Sequence, residues 1–183
     1  MEFTADHYAA PGRVVVEFQT IECVISAALI RFIHPTEPTS LNFAHLVVNE
    51  LTFTNRLKLL AAYLSTHPIE HFVSEGDPHL AIKKMEYKEE SEYLLEGLRL
   101  AGEAEAERNQ LVHSQWLADP ACGPVGTVCR TKVSTRAKTI KVAQEFLSVA
   151  DILAVAAKAE KAWKLIQSST SHLHILLCSK TSS

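Results

Sequence analysis

Four long stretches of the chain place apolar residues three and four positions apart, a period that lines them along one stripe of an α-helix. The first runs from Val14 to about Phe32 through Phe18, Ile21, Val24, Ile25, Ala28 and Leu29. The second has Ser40 or Asn42 as a candidate N-cap and uses Phe43, Leu46, Val47, Leu51, Leu57, Leu60, Ala61 and Leu64, stopping near His67-Pro68. The third starts after Asp77-Pro78 and runs towards Trp116 on Leu80, Ile82, Met85, Tyr93, Leu94, Leu98, Ala101, Leu111 and Val112, with Gly97 and Gly102 as weak points where it can bend. The fourth spans about Val142 to Ile166, with Phe146, Leu147, Val149, Ile152, Leu153, Ala156, Ala159 and Trp163 turned inward. Each stripe must be buried against another element. Four such helices joined by short connections predict an all-α, up-and-down four-helix bundle.

The breaks between the stripes set the rest of the organisation. Residues 1–13 lack a pattern and contain Pro11-Gly12, so they read as a flexible N-terminal arm. His34-Pro35-Thr36-Glu37-Pro38 ends the first helix, and Asp119-Pro120-Ala121-Cys122-Gly123-Pro124 ends the third. The β-branched run Thr127–Val133 predicts a small β-hairpin insertion between the third and fourth helices, pairing with residues near Ala137–Val142 around Ser134-Thr135. Residues 14–167 then form the bundle, and 168–183 a tail, either a short edge strand or a partly ordered end.

A chain of 183 residues suits one domain with a real core. Its formal net charge of −3 supplies no global positive field, so any RNA contact has to be local. The sustained basic stretch is Arg130, Lys132, Arg136, Lys138 and Lys141, with no acid between Asp119 and Glu145; it is the candidate RNA-binding surface, or else a charged hairpin guarded against aggregation. The N-terminus does not resemble a signal peptide, and no run of about 18 apolar residues indicates a membrane span, so a cytoplasmic protein is expected. Cys23, Cys122, Cys129 and Cys178 form no Cys-x-x-Cys pair and read as reduced thiols. His67, His71 and His79, like His172 and His174, lack a partner set, so no metal and no cofactor is expected. The absence of a Gly-rich phosphate loop and of a Gly-x-Ser-x-Gly elbow disfavours nucleotide hydrolysis and serine-type hydrolysis.

The chemistry-bearing stretch is Arg108-Asn109-Gln110-Leu111-Val112-His113, followed by Ser114-Gln115-Trp116. A permanent cation, an amide and an imidazole can grip a phosphate and move a proton without a metal. On a helix Asn109 and His113 lie about 40° apart on one face, whereas Arg108 and His113 lie about 140° apart. Arg108 must reach round, or face the equivalent residue of a second chain, which points to a site assembled at a symmetric dimer interface.

In this context the stretch resembles the HEPN family, helical bundles whose signature is Arg, often a polar residue, and then His four to six positions on. Arg108, Asn109 and His113 fill those places, while the hairpin matches no particular subfamily. The resemblance covers helix order over roughly residues 14–167 and the motif itself over Arg108–Trp116. It implies a homodimeric, metal-independent endoribonuclease, a toxin or defence effector with an antitoxin protein as possible partner and RNA, tRNA among the candidates, as substrate. His113 would move the proton at the 2′-OH or the leaving 5′-oxygen, Arg108 would hold the phosphate oxygens, and Asn109 would orient His113 or hold the phosphate. Other members of the family are non-catalytic modules that bind a protein or RNA partner, and the residues leave that alternative open.

Overall fold

The computed structural model describes residues 3–33, 41–67, 69, 77–117, 124, 126–136 and 139–178, with backbone alone at 41–43, 134–136, 139–141 and 177–178. Among these, five helices dominate: α1 (Ala5–Ile33), α2 (Leu41–Glu50), α3 (Phe53–Thr66), α4 (Leu80–Val112) and α5 (Val149–Cys178). Between α4 and α5 lies a three-stranded antiparallel sheet of β1 (Gln115–Leu117), β2 (Thr127–Arg136) and β3 (Thr139–Ser148), in the order β1-β2-β3. The helical class predicted from periodicity is present. The four-helix bundle with a hairpin is corrected to five helices and a three-stranded sheet. The chain divides into two compact units, Met1–Gln19 with Glu103–Glu160, and Thr20–Gly102 with Lys161–Ser183.

The first unit has its core in Ala10, Val14, Leu111, Val128, Ile152 and Ala156, with Trp116, Leu147 and Leu153 packed on it. Here α1 begins at Ala5, inside the stretch expected to be a loose arm. His7, Ala10, Val14 and Phe18 are all buried at helical spacing, and that burial outweighs Pro11, which lacks an N–H. Thr4 Oγ1 lies 2.7 Å from His7 Nδ1, and His7 Nε2 lies 3.4 Å from the Gly126 carbonyl. Gly126 has φ +83°, the left-handed conformation that glycine adopts freely at the entry to β2.

The sheet differs from its prediction in three ways. Gln115–Leu117 forms a strand opposite Cys129–Thr131 where the helix was expected to continue. β2 and β3 pair from Thr127↔Ser148 to Arg136↔Thr139, so Ser134 and Thr135 belong to the ladder, and the connection at 137–138 lies outside the described residues. Residues 142–148, assigned by periodicity to the last helix, belong to β3. An apolar run of this length fits either period, and pairing with β2 decides it. The helix starts instead at a capping box: Asp151 accepts from the Ser148 N–H at 2.8 Å and from its hydroxyl at 2.7 Å, while the Asp151 N–H donates back to Ser148 Oγ at 3.2 Å.

The second unit buries Ile21, Ile25, Leu29, Leu60, Leu94, Ile166 and Leu173 almost completely. The expected second helix is two helices. Thr52, extended at φ −63° and ψ 157°, caps α3 by accepting from the Asn55 N–H at 3.3 Å. Arg56 Nε donates to the carbonyls of Val48 in α2 and Leu51 just beyond it, both at 3.1 Å, and its Nη1 donates to Ser26 Oγ at 3.1 Å. α4 runs through Gly97 and Gly102 without a break. A Cβ at position 97 would stand 2.8 Å from Ile166 Cγ1 and 3.2 Å from the Ile166 nitrogen, so this glycine permits the close approach of α4 and α5. α5 continues to Cys178 through residues expected to form a tail, because Ile166, Ser169, Thr170 and Leu173 extend its buried face.

Candidate functional site

Arg108 and Asn109 lie in the last two turns of α4 and His113 directly follows it, all within the first unit. Arg108 is half-buried, with its guanidinium carbon 5.1 Å from the centroid of the Phe18 ring of α1, a cation–π contact. Its Nη1 donates to Asn109 Oδ1 at 2.9 Å. Its Nε is buried and has no hydrogen-bond partner among the described residues. The guanidinium is therefore held by a ring and an amide.

His113 sits just beyond the helix and is exposed, its backbone N–H closing the last turn on the Asn109 carbonyl at 3.1 Å. Ser114 Oγ donates to the Gln110 carbonyl, and the Trp116 indole N–H donates to the Leu111 carbonyl at 2.9 Å. These two bonds turn the chain from α4 into β1 and fix the backbone on either side of the imidazole. The side-chain carbonyl of Asn109 accepts from Arg108. Five positions along a helix separate Arg108 from His113 by about 140° and by about 7.5 Å of rise. The half-buried guanidinium and the exposed imidazole reflect that separation.

A groove of about 500 Å³ lies beside the motif, its polar lining supplied by Glu107, Gln110, Arg130, Glu145, Asp151 and Lys158. Leu111, Leu147 and Val155 supply apolar surface, and none of Arg108, Asn109 and His113 lines the groove. Its charges are mutually engaged. Lys158 pairs with Glu107 and, at 3.7 Å, with Glu103. Arg130 pairs with Glu145 and lies 3.4 Å from Gln110 Oε1. The Ser148 hydroxyl, and then the Ser148 N–H, hold the Asp151 carboxyl below the usual carboxylate range. Three acids and two cations stand on its walls.

The basic stretch is resolved by the ladder register. Arg130↔Glu145, Lys132↔Ala143, Ser134↔Lys141 and Arg136↔Thr139 are opposed, so Arg130, Lys132, Arg136 and Lys141 hold register positions on one face of the hairpin. Lys132 is exposed, whereas Arg130 is turned onto Glu145. Lys138 lies outside the described residues, as do the side chains of Arg136 and Lys141.

The histidines considered as ligands serve the second unit. His67 stacks on Tyr63 with centroids 4.2 Å apart, and its N–H caps α3 on the Tyr63 carbonyl. His172 Nδ1 lies 2.8 Å from a Glu90 carboxylate oxygen. Burial, and then Arg31, push the His174 imidazole below its ordinary range. His71 lies outside the described residues, and among those described no group of three or more His, Cys, Asp or Glu side chains is placed to hold a metal. Among the same residues no helix is long and apolar enough to cross a membrane.

The sequence reading missed the Phe18 contact and the acidic groove. Phe18 was visible only as a core position, and nothing in its spacing announces a guanidinium above its ring. Comparison with protein-family models, with curated proteins and with solved structures finds no match.

Proposed function

We propose that this chain is a HEPN-like, metal-independent endoribonuclease whose site is completed by a second copy of itself. The observation that carries the reading is the state of the motif's two ends. Arg108 is fixed by Phe18 and Asn109, and His113 is exposed on a backbone pinned by Asn109 and Trp116. About 140° of helix rotation separates them, so Arg108 of one protomer and His113 of another are the natural pair over one phosphodiester. The imidazole deprotonates the ribose 2′-OH, that oxygen attacks phosphorus as the bond to the 5′-oxygen breaks, the 5′-oxygen takes a proton from water, and the imidazolium returns its proton to the resulting hydroxide. The products are a 2′,3′-cyclic phosphate and a free 5′-hydroxyl. The guanidinium stabilises the charge that builds on the non-bridging oxygens.

The test is incubation of the purified chain with total RNA and with tRNA in excess chelator, beside His113→Ala. Cleavage to cyclic-phosphate ends is expected, slowed by about 10²–10⁴-fold in the variant. Equal rates for the two proteins overturn the assignment, and loss of parental cleavage on chelation assigns the activity to a metal enzyme.

A second reading is favoured by the same Phe18 contact. A guanidinium stacked on a buried ring also serves as a packing element, and the chain is then a non-catalytic HEPN-like module that binds a protein or RNA partner. Absence of cleavage by either protein selects it. A toxin or defence role with an antitoxin partner belongs to the first reading and rests on the family resemblance alone.

A further inference from the structure

Among the described residues β3 has a hydrogen-bonded neighbour on one side, because the strand order is β1-β2-β3. Folded proteins normally cover, shorten or charge such an edge. Here Val142, Ala143, Gln144, Glu145 and Phe146 are all exposed. Successive strand residues point to opposite faces, so neither face of this segment is covered. The opposed pair Val133↔Val142 is 54% and 60% exposed, and Phe146 on the same face is 36% exposed. β1 supports β2 only at Cys129–Thr131, so beyond that point the hairpin is two-stranded, an arrangement of marginal stability in water by itself.

We propose that β3 pairs antiparallel with β3 of a second copy of this chain, about a two-fold axis at Ala143, to form one continuous six-stranded sheet. The edge is self-complementary in this register. With Ala143 opposite itself, Lys141 stands opposite Glu145 of the second copy, Ile140 opposite Phe146, and Val142 opposite Gln144; the axis repeats each pair. A two-residue slip in either direction sets Lys141 against Ala143 or Leu147 and leaves both charges unopposed. In-register parallel pairing sets lysine on lysine and glutamate on glutamate. The charges that would blunt an edge thus select one partner and one register. Glu145 already holds Arg130 of its own chain, and in the assembly its register position is opposite position 141 of the second copy.

RNA fits this edge less well. The strand offers unpaired amides and a Val–Phe face, and of the two described cations on the opposite face Arg130 is engaged by Glu145. The contact is independent of the catalytic reading. In a sheet ordered β1-β2-β3-β3-β2-β1 the two ends of α4, each leading into a β1, stand about 24 Å apart at five strand spacings. This pairing does not bring Arg108 onto His113 of the second copy, so either idea can fail alone.

The experiment uses the full chain with Cys23, Cys122 and Cys178 changed to Ser and one cysteine introduced, Ala143→Cys or, as control, Lys132→Cys. Lys132 is opposite Ala143 in the ladder and is also exposed, one strand further from the axis. Residues opposed at an antiparallel two-fold have Cα atoms about 4.5–5.5 Å apart, within disulfide reach, so mild oxidation should cross-link A143C at least about tenfold faster than K132C. Sedimentation velocity of the unmodified chain is expected to show self-association, to a dimer through β3 or to larger species where the catalytic contact also forms, and Lys141→Glu should weaken it about tenfold or more. Equal cross-linking rates, or a monomer at tens of micromolar, overturn the proposal. Slow cross-linking of A143C with protection of residues 142–146 by added tRNA overturns it in favour of RNA.

Discussion

Arg108 and Gly97 show how differently single residues declare themselves. The spacing of Arg108, Asn109 and His113 is open in the sequence, and so is the angle that keeps the cation and the imidazole apart. The choice of Asn109 as the partner of Arg108 is not, because neighbouring side chains on a helix do not ordinarily face each other. The ring of Phe18, ninety residues away in the chain, sets the guanidinium's direction. Gly97 gives the opposite lesson. Propensity reads it as a weak point in a helix, but its lack of a side chain is what lets Ile166 approach. Gly97→Ala gains helix propensity and loses more to overpacking, because the Ile166 nitrogen is backbone and cannot yield. The variant is expected to be less stable by about 1–3 kcal/mol, measured by urea unfolding. Equal or greater stability would mean the two helices separate without cost.

At the scale of elements, the helices were legible where a stripe was long and the ends were not. α1 starts earlier than its apolar pattern because His7 and Ala10, neither strongly apolar, are buried. α5 starts later because Val142–Ser148 fits two periods, and the Ser148–Asp151 box marks the true start. Ser148→Ala removes that cap and is expected to cost about 1 kcal/mol, seen as a lower urea midpoint. Its pH dependence has a definite sign. The Asp151 carboxyl titrates lower in the folded chain than when unfolded, so its contribution is present above its ordinary pKa, near 3.8, and fades as pH falls through its lower folded value. The wild-type advantage over Ser148→Ala should therefore shrink below about pH 4. An advantage that is constant down to pH 2 would show that the carboxylate is uninvolved.

Taken as a whole, the molecule carries a net charge of −3, with Lys132, Arg136 and Lys141 sharing one hairpin face and Arg130 neutralised beside them. If RNA is held there, about three phosphates are contacted, and log affinity should fall against log salt with a slope of about −2. Neutralising the three should flatten that slope while Arg130→Gln barely moves it; a steep slope surviving the triple change would place the contact elsewhere. The helical class of the molecule could be read from periodicity alone. Its division into two cores could not, because each core joins distant segments that no local pattern connects. That discontinuity governs how the chain is made. Ala10 and Val14 meet Ile152 and Ala156, so the first core stays open until the residues through Ala156 have left the ribosome. During synthesis the amphipathic start of α1 waits without its partners, and that is the interval in which a chaperone has the most to hold.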